Sequence, residues 1–107
     1  MKKTPKELFN TVIKEKINSK NDTLRQLSAV YQFTITGDQG GIWRINCNEN
    51  LGIEEGEGQS DCTITLSDKD FIDMIDGKLN PQMAFMMKKI TVKGDISLAM
   101  KLGSILK

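Results

Sequence analysis

Histidine is absent from the 107 residues, and cysteine and proline occur only twice each. Without histidine, the chain lacks the usual general base at neutral pH and nearly every nucleophile–histidine pair. The two cysteines, Cys47 and Cys62, lack the close spacing of a metal or redox motif. We interpret them as reduced, buried side chains of an intracellular protein.

Long hydrophobic runs are also missing. No stretch approaches the roughly 18 consecutive apolar residues that a membrane-spanning helix requires. Residues 1–3 lead into a charged, helical pattern and not into the apolar core of a signal peptide, so we expect a cytoplasmic protein. A chain of 107 residues is long enough for one hydrophobic core, and we predict a single domain over residues 1–107.

Positive and negative charges nearly balance, with 15 basic and 14 acidic residues. Their distribution is uneven, because acidic residues concentrate between Glu49 and Asp76 while both ends of the chain are basic. If the termini meet in the fold, they form a basic face that predicts transient contact with an anionic membrane surface. An ordinary solvated surface explains the same pattern, and the small net charge predicts no nucleic-acid partner.

Helix start signals occur at four places, each with a residue that caps helix N-termini. In the first helix, Pro5 suits the first turn and an apolar stripe continues to about Asn18. The polar residues 19–23 then predict a loop, and Gly77 is placed to end the second helix. The four capping residues are Thr4, Ser67, Asn80 and Asp95.

Strand signals, in which apolar and polar residues alternate, occur in five segments. Residues 51–56 give the weakest of them. Many of the polar residues are threonines, which indicates a sheet with one solvated face and one face covered by all the helices. The predicted fold class is therefore α+β with two layers. The inward-facing residues of the four clearer strands are Tyr31, Phe33, Ile35, Trp43, Ile45, Cys47, Cys62, Ile64, Leu66, Ile90 and Val92.

The last helix is apolar around most of its circumference. A terminal helix of a small domain is not central, so its second side needs an apolar cover, which is a ligand, a partner protein or a membrane. Five of the six methionines lie between residues 74 and 100, and flexible thioether side chains suit a cavity that accepts several apolar shapes. The apolar residues of this helix are Ile96, Leu98, Ala99, Met100, Leu102, Ile105 and Leu106.

Three segments carry a family resemblance: GGIWRINCNEN, EGEGQSDCTITLSDKDFIDMIDGKLNPQMAF and ITVKGDISLAMKL. In this order and spacing they resemble the sterol carrier protein type 2 domain, also called the sterol-binding or lipid-transfer domain. The resemblance implies a five-stranded mixed sheet with helices covering one face and an apolar tunnel between the layers. It also implies non-catalytic binding and transfer of fatty acids, fatty acyl-CoA or sterols, so neither enzyme activity nor a cofactor is expected.

The chain departs from this family's pattern in two places. Family members commonly have a glycine before the lysine that opens the last strand, where this chain has Met87, Lys88 and Lys89. The edge of the tunnel is therefore expected to differ in shape or charge. Eukaryotic members often end in a peroxisomal tripeptide, whereas this chain ends Ile105-Leu106-Lys107.

We predict a lipid-binding site formed by the sheet and three helices. Apolar pockets usually contain a few oriented polar groups, so Gln82 is included and Arg25 is a candidate for contact with a lipid head group. Each apolar residue has the alternative role of a plain core residue, and a monomer is expected. The predicted apolar lining is Phe33, Ile35, Trp43, Ile45, Phe71, Ile75, Met83, Phe85, Met86, Ile96, Met100, Leu102 and Ile105.

Two other functions remain open at this stage. A cavity enzyme acting on a hydrophobic small molecule would depend on Tyr31 together with Asp61 or Asp70 for acid–base chemistry. A protein-interaction module would dock through the last helix. No metal site is predicted, because apolar residues occupy what would be the polar turn of a calcium loop after Asp68. RNA binding is disfavoured, since the sheet aromatics face the helices.

Overall fold

The computed structural model describes residues 4–105, and side chains for residues 4–102. Its five strands are β1 Ala29–Thr36, β2 Gly41–Cys47, β3 Gly52–Glu55, β4 Cys62–Ser67 and β5 Ile90–Gly94. They form one sheet in the order β3-β2-β1-β4-β5. The central strands β1 and β4 are parallel and the other neighbours are antiparallel, so the sheet is mixed, as predicted.

One face of the sheet is buried and the other is mostly polar. The inward side chains of β1, β2 and β4 are all buried, which confirms the predicted alternation. On the polar face, Arg44 forms an ion pair with Glu54 on β3 at 3.0 Å. The connection from β3 to β4 covers part of this face, where the Gly58 N–H donates to Gln32 Oε1 at 3.1 Å.

The first helical region consists of three consecutive segments. They are α1 Pro5–Leu8, a π-helical turn Phe9–Ile13 and α2 Lys14–Ser19. The predicted cap is present, because Thr4 Oγ1 accepts the Glu7 N–H at 3.2 Å. The apolar stripe packs onto the sheet through Leu8, Phe9, Ile13 and Ile17.

The predicted loop at residues 19–23 is wrong. After a break at Lys20, the chain forms a further short helix, α3 Asn21–Arg25. Polar residues dominate this segment and hide its helical period, but Leu24 is fully buried and anchors it to the core. A single apolar residue is too weak a periodic signal to predict a helix of this length.

Three more helices lie after β4 in the chain, two before β5 and one after it, and all begin after the predicted capping residues. A side-chain oxygen of each cap accepts a backbone N–H from the first turn, at 2.8 to 3.1 Å. None of the described helices is long and apolar enough to cross a membrane. The helices are α4 Asp68–Ile75, α5 Pro81–Met86 and α6 Ile96–Ile105.

Helices α4 and α5 end with the same backbone motif. The residue after each C-cap has a left-handed conformation, at Gly77 (φ +79°) and Lys88 (φ +61°). In both cases the next amide donates to the carbonyl five residues earlier at 2.8 Å. This is the Schellman termination, in which glycine usually occupies the left-handed position.

The core lies between the sheet and the helices and contains a cluster of four aromatic rings in contact. Phe9 stacks on Trp43 and on Phe71, with ring centroids 4.8 and 5.2 Å apart. Phe33 meets Phe9 and Phe71 edge-on at 5.8 and 6.0 Å. The π-helical turn therefore inserts Phe9 between β2 and α4, and the two-layer α+β prediction is confirmed.

Candidate functional site

An apolar cavity of about 140 Å³ lies between the sheet and the helices, against α6. Asn80 supplies the one polar side chain among its wall residues. The volume is well above the roughly 10–15 Å³ that one water needs, yet the wall offers water few hydrogen-bonding partners, so it favours an apolar ligand. The wall residues are Ile13, Phe33, Ile64, Phe71, Met74, Ile75, Gly77, Leu79, Asn80, Pro81, Ile90, Ala99, Met100 and Leu102.

The structure brings five of the predicted lining residues to this wall. They come from the centre of the sheet, from the inner face of α4 and from α6. Lipid contact by these side chains remains a prediction. The five residues are Phe33, Phe71, Ile75, Met100 and Leu102.

Other predicted lining residues lie in the core or beside a different cavity. Ile35 and Ile45 are buried but are not on the wall, and Phe85 is partly buried against the core. Trp43 borders a second, more polar cavity between α2 and β3. Trp43 and Ile45 are not on the wall because they belong to β2. The apolar cavity lies toward the β4–β5 half of the sheet, whereas β2 lies on the other side of β1.

The predicted lining residues of α5 and of the start of α6 are largely exposed, and their contact with lipid stays a prediction. Met83 and Met86 are 57% and 80% exposed, Ile96 at the start of α6 is 45% exposed, and Gln82 is also exposed. Since α5 has only six residues and buries Ala84, the side chains opposite Ala84 face solvent.

The two remaining predicted contacts are Arg25 and Ile105. Arg25 is exposed on α3 and is not among the wall residues, so its contact with a head group stays a prediction. Ile105 ends α6, and its side chain lies outside the described residues.

Several wall residues were not selected from the sequence. Ile64 and Ile90 alternate inward on their strands, and Ile13 and Met74 belong to helical apolar stripes, so a signal for burial was present. Leu79 lies in the connection between α4 and α5, and Pro81 is the first residue of α5, so periodicity gives neither a direction. Their position in the GKLNPQ segment was the only available indication.

The buried titratable groups are held in their neutral forms. The Tyr31 hydroxyl donates to the Leu98 carbonyl at 2.8 Å, and burial raises the pKa of Tyr31. Burial also raises the pKa of Cys47 to about 12 and that of Cys62 to about 11. Both thiols are free, buried and protonated at neutral pH, which makes them poor nucleophiles.

Neither candidate acid group is among the residues of the cavity wall. Asp61 is exposed, and its Oδ2 accepts the Val30 N–H at 2.8 Å. Asp70 is partly buried on α4 but is not among the cavity residues. Across residues 4–102, no three His, Cys, Asp or Glu side chains are grouped so that they could hold a metal ion.

Comparison with known proteins gives matches over most of the chain. A model of the SCP-2 sterol transfer family matches residues 9–107. Hydroxysteroid dehydrogenase-like protein 2 of Bos taurus is 36% identical over 98 residues, which cover 89% of this chain. The match covers 23% of that protein, so the chain spans about a quarter of the length of this curated relative.

Two solved structures show the same fold. Sterol carrier protein 2 from Yarrowia lipolytica, in its apo form, has a TM-score of 0.80 and 27% identity, covering 94% of this chain and 87% of that one. Sterol carrier protein 2 from Aedes aegypti, in complex with palmitate, has a TM-score of 0.75 and 24% identity. It covers 94% of this chain and 91% of its own, and at this identity the likeness shows the fold alone.

Proposed function

We propose, because this chain belongs to the SCP-2 sterol transfer family, that it binds a lipid in the apolar cavity and transfers it without chemistry of its own. The observation that carries the proposal is the cavity itself, which lies between sheet and helices and has almost no polar wall. The Aedes aegypti protein of the same fold holds palmitate, so a long-chain fatty acid is the first ligand to test. Fatty acyl-CoA and sterols are the other candidates.

The expected affinity follows from burial of a hydrocarbon chain. About fifteen methylenes at about 0.8 kcal/mol each give roughly 12 kcal/mol of gross stabilisation. Immobilising the ligand costs at least about 4 kcal/mol, which leaves a dissociation constant near micromolar. Such an affinity suits a carrier, because the lipid must also be released.

The proposal that this chain is not an enzyme is supported by its side chains. The sequence has no histidine, and the Tyr31 hydroxyl is committed to the Leu98 carbonyl. The name of the longer Bos taurus relative suggests dehydrogenase activity, but this chain covers only 23% of that protein. We therefore do not carry that activity over. A monomeric, cytoplasmic, one-domain carrier remains our proposal for residues 1–107.

Trp43 fluorescence and thermal stability test ligand binding directly. Trp43 does not border the cavity, but it stacks on Phe9, which stacks on the wall residue Phe71. We expect palmitate to change the fluorescence with a micromolar midpoint. At a free concentration 100 times the dissociation constant, it should stabilise the fold by about 2.7 kcal/mol. No response at concentrations well above micromolar would contradict the proposal.

A charge on the cavity wall provides the matched variant. Met100→Glu places a carboxylate against an apolar wall, so we expect the palmitate response to be lost while the sheet stays folded. Met87→Glu is the control, because Met87 is exposed and not on the wall. Circular dichroism of both variants checks the fold. Unchanged binding by Met100→Glu would remove α6 from the binding site.

A further inference from the structure

Four large apolar side chains remain exposed on the described surface, and they belong to α5, its C-cap and the start of α6. Helix α5 packs against both α6 and β5, which brings these elements together. We call this set the methionine surface: Met83 (57% exposed), Met86 (80%), Met87 (56%) and Ile96 (45%). Exposed apolar side chains concentrated in one part of a small protein indicate an interaction site.

The charge around the methionine surface has one dominant sign. Between residues 78 and 101 the chain contains five lysines and one acidic residue, Asp95. The Asp95 carboxylate is engaged at the start of α6, where Oδ1 accepts both the N–H and the hydroxyl of Ser97. All five lysines are exposed: Lys78, Lys88, Lys89, Lys93 and Lys101.

Lys88 adds a second, independent observation. It occupies the left-handed position at the end of α5 (φ +61°), whereas the same motif at the end of α4 uses Gly77. A lysine in this conformation is energetically less favourable than a glycine. We therefore infer that the charged side chain of Lys88 has a function. Its exposed side chain follows directly after Met87, at the edge of the methionine surface.

The methionine surface is also close to the cavity. Asn80 and Pro81, which begin α5, are wall residues, and the exposed methionines follow within six residues of Pro81, on the same short helix and at its C-cap. Met100 lines the cavity on α6, the helix that also carries Ile96. A partner bound to the methionine surface would therefore lie beside the part of the cavity wall that these two helices form.

We propose that the methionine surface docks on phospholipid bilayers that contain anionic lipid, an inference that rests on the proposed lipid-carrier function. Thioether side chains insert between the head groups and the lysines contact anionic head groups, as in other interfacial helices. The docked protein holds the α5–α6 side of its cavity against the source of its cargo.

The test uses the full chain and vesicles of phosphatidylcholine with or without phosphatidylserine, separated by flotation. We expect binding only to the vesicles that contain phosphatidylserine, and weaker binding at high salt. The variant Lys88→Glu/Lys89→Glu should lower the affinity at least about tenfold, since each lysine near an anionic surface contributes to attraction. Met86→Ser/Met87→Ser should also lower it.

The matched control is Lys6→Glu/Lys14→Glu, which makes the same charge change at exposed positions of the first helical region. Equal losses for the two pairs would show attraction by net charge alone and would overturn the inference. Failure of the wild-type chain to bind anionic vesicles would do the same. Self-association that Met86→Ser/Met87→Ser abolishes would assign the surface to a second copy of this chain.

Palmitate binding without vesicles separates this inference from the proposed function. The lysine pair is not on the cavity wall, so Lys88→Glu/Lys89→Glu should bind palmitate as the wild type does. Normal palmitate binding with reduced vesicle binding supports the inference. Palmitate binding without any vesicle binding overturns the docking surface alone, whereas no palmitate binding by the wild-type chain overturns the carrier function and the inference with it.

Discussion

Lys88 shows how one residue can oppose local backbone preference. Its φ of +61° places an L-residue with a long side chain where the Cβ is crowded, at a cost of roughly 1–2 kcal/mol. Glycine avoids this cost but loses more backbone entropy on folding, by about 0.5–1 kcal/mol. The free energy expected to be gained by placing glycine at this position is therefore smaller than the steric cost alone.

Replacing Lys88 by glycine should stabilise the protein. We expect Lys88→Gly to raise the free energy of unfolding by about 0.5–1 kcal/mol, measured by urea denaturation. Lys89→Gly is the control, since Lys89 is not among the described residues with positive φ. This variant should be less stable than the wild type, because glycine loses more backbone entropy on folding. Equal changes in the two variants would show that Lys88 is not strained.

The same residue marks a limit of prediction from sequence. The family resemblance indicated that the segment Met87-Lys88-Lys89 lacks a glycine that members commonly have, but it did not show which backbone angle Lys88 adopts. The angle follows from the pair of hydrogen bonds that ends α5, in which the Lys89 N–H donates to the Ala84 carbonyl at 2.8 Å. Sequence reasoning therefore found the segment but not the left-handed conformation within it.

Among the elements, the strands were easier to predict than the short helices. The strands β1, β2 and β4 each have at least three inward residues in alternation, and β1 begins and ends where the pattern predicts. By contrast, α3 has one buried residue, Leu24, and α5 has one, Ala84. With a single anchor, the direction of the remaining side chains cannot be predicted from periodicity alone, so the exposure of Met83 and Met86 was not predictable.

Helix α6 is the element on which ligand entry is expected to depend. The cavity of about 140 Å³ is smaller than the roughly 300–1,000 Å³ of most ligand sites, so a long acyl chain requires the wall to move. The strands of the wall are hydrogen-bonded into the sheet, whereas α6 lies at its edge and packs on β4, β5 and α5. Outward movement of α6 breaks fewer contacts than movement of a strand.

Hydrogen exchange should locate this movement. We expect saturating palmitate to slow amide exchange in α6 and in residues 76–80 by at least about tenfold, because the ligand fills the space into which they open. The amides of β1 are the internal control and should change less. Equal slowing in β1 and α6 would indicate global stabilisation and would contradict local opening at α6.

At the scale of the whole molecule, the space between the sheet and the helices is divided into a tightly packed region and a cavity. The ring cluster around Phe9 fills the space over β1 and β2, and the cavity occupies the space toward β4 and β5. The sequence predicted the shared apolar face but not this division. Which side chains close against each other depends on the π-helical turn and on the helix connections, and neither has a periodic signature.

Transfer of lipid between vesicles combines the cavity and the methionine surface in one measurement. If the protein loads and unloads while docked, the rate of transfer of a fluorescent fatty acid should rise with the concentration of acceptor vesicles. It should fall several-fold at high salt, because the screening length shortens from about 10 Å at 0.1 M to about 3 Å at 1 M.

The variant Lys88→Glu/Lys89→Glu should transfer the fatty acid more slowly to anionic vesicles while keeping the wild-type rate to phosphatidylcholine vesicles. Its affinity for free fatty acid should not change, since neither lysine is on the cavity wall. A transfer rate that is independent of vesicle concentration and of salt would mean that release into water limits transfer. In that case the cavity alone would account for carriage, and docking would not be part of the mechanism.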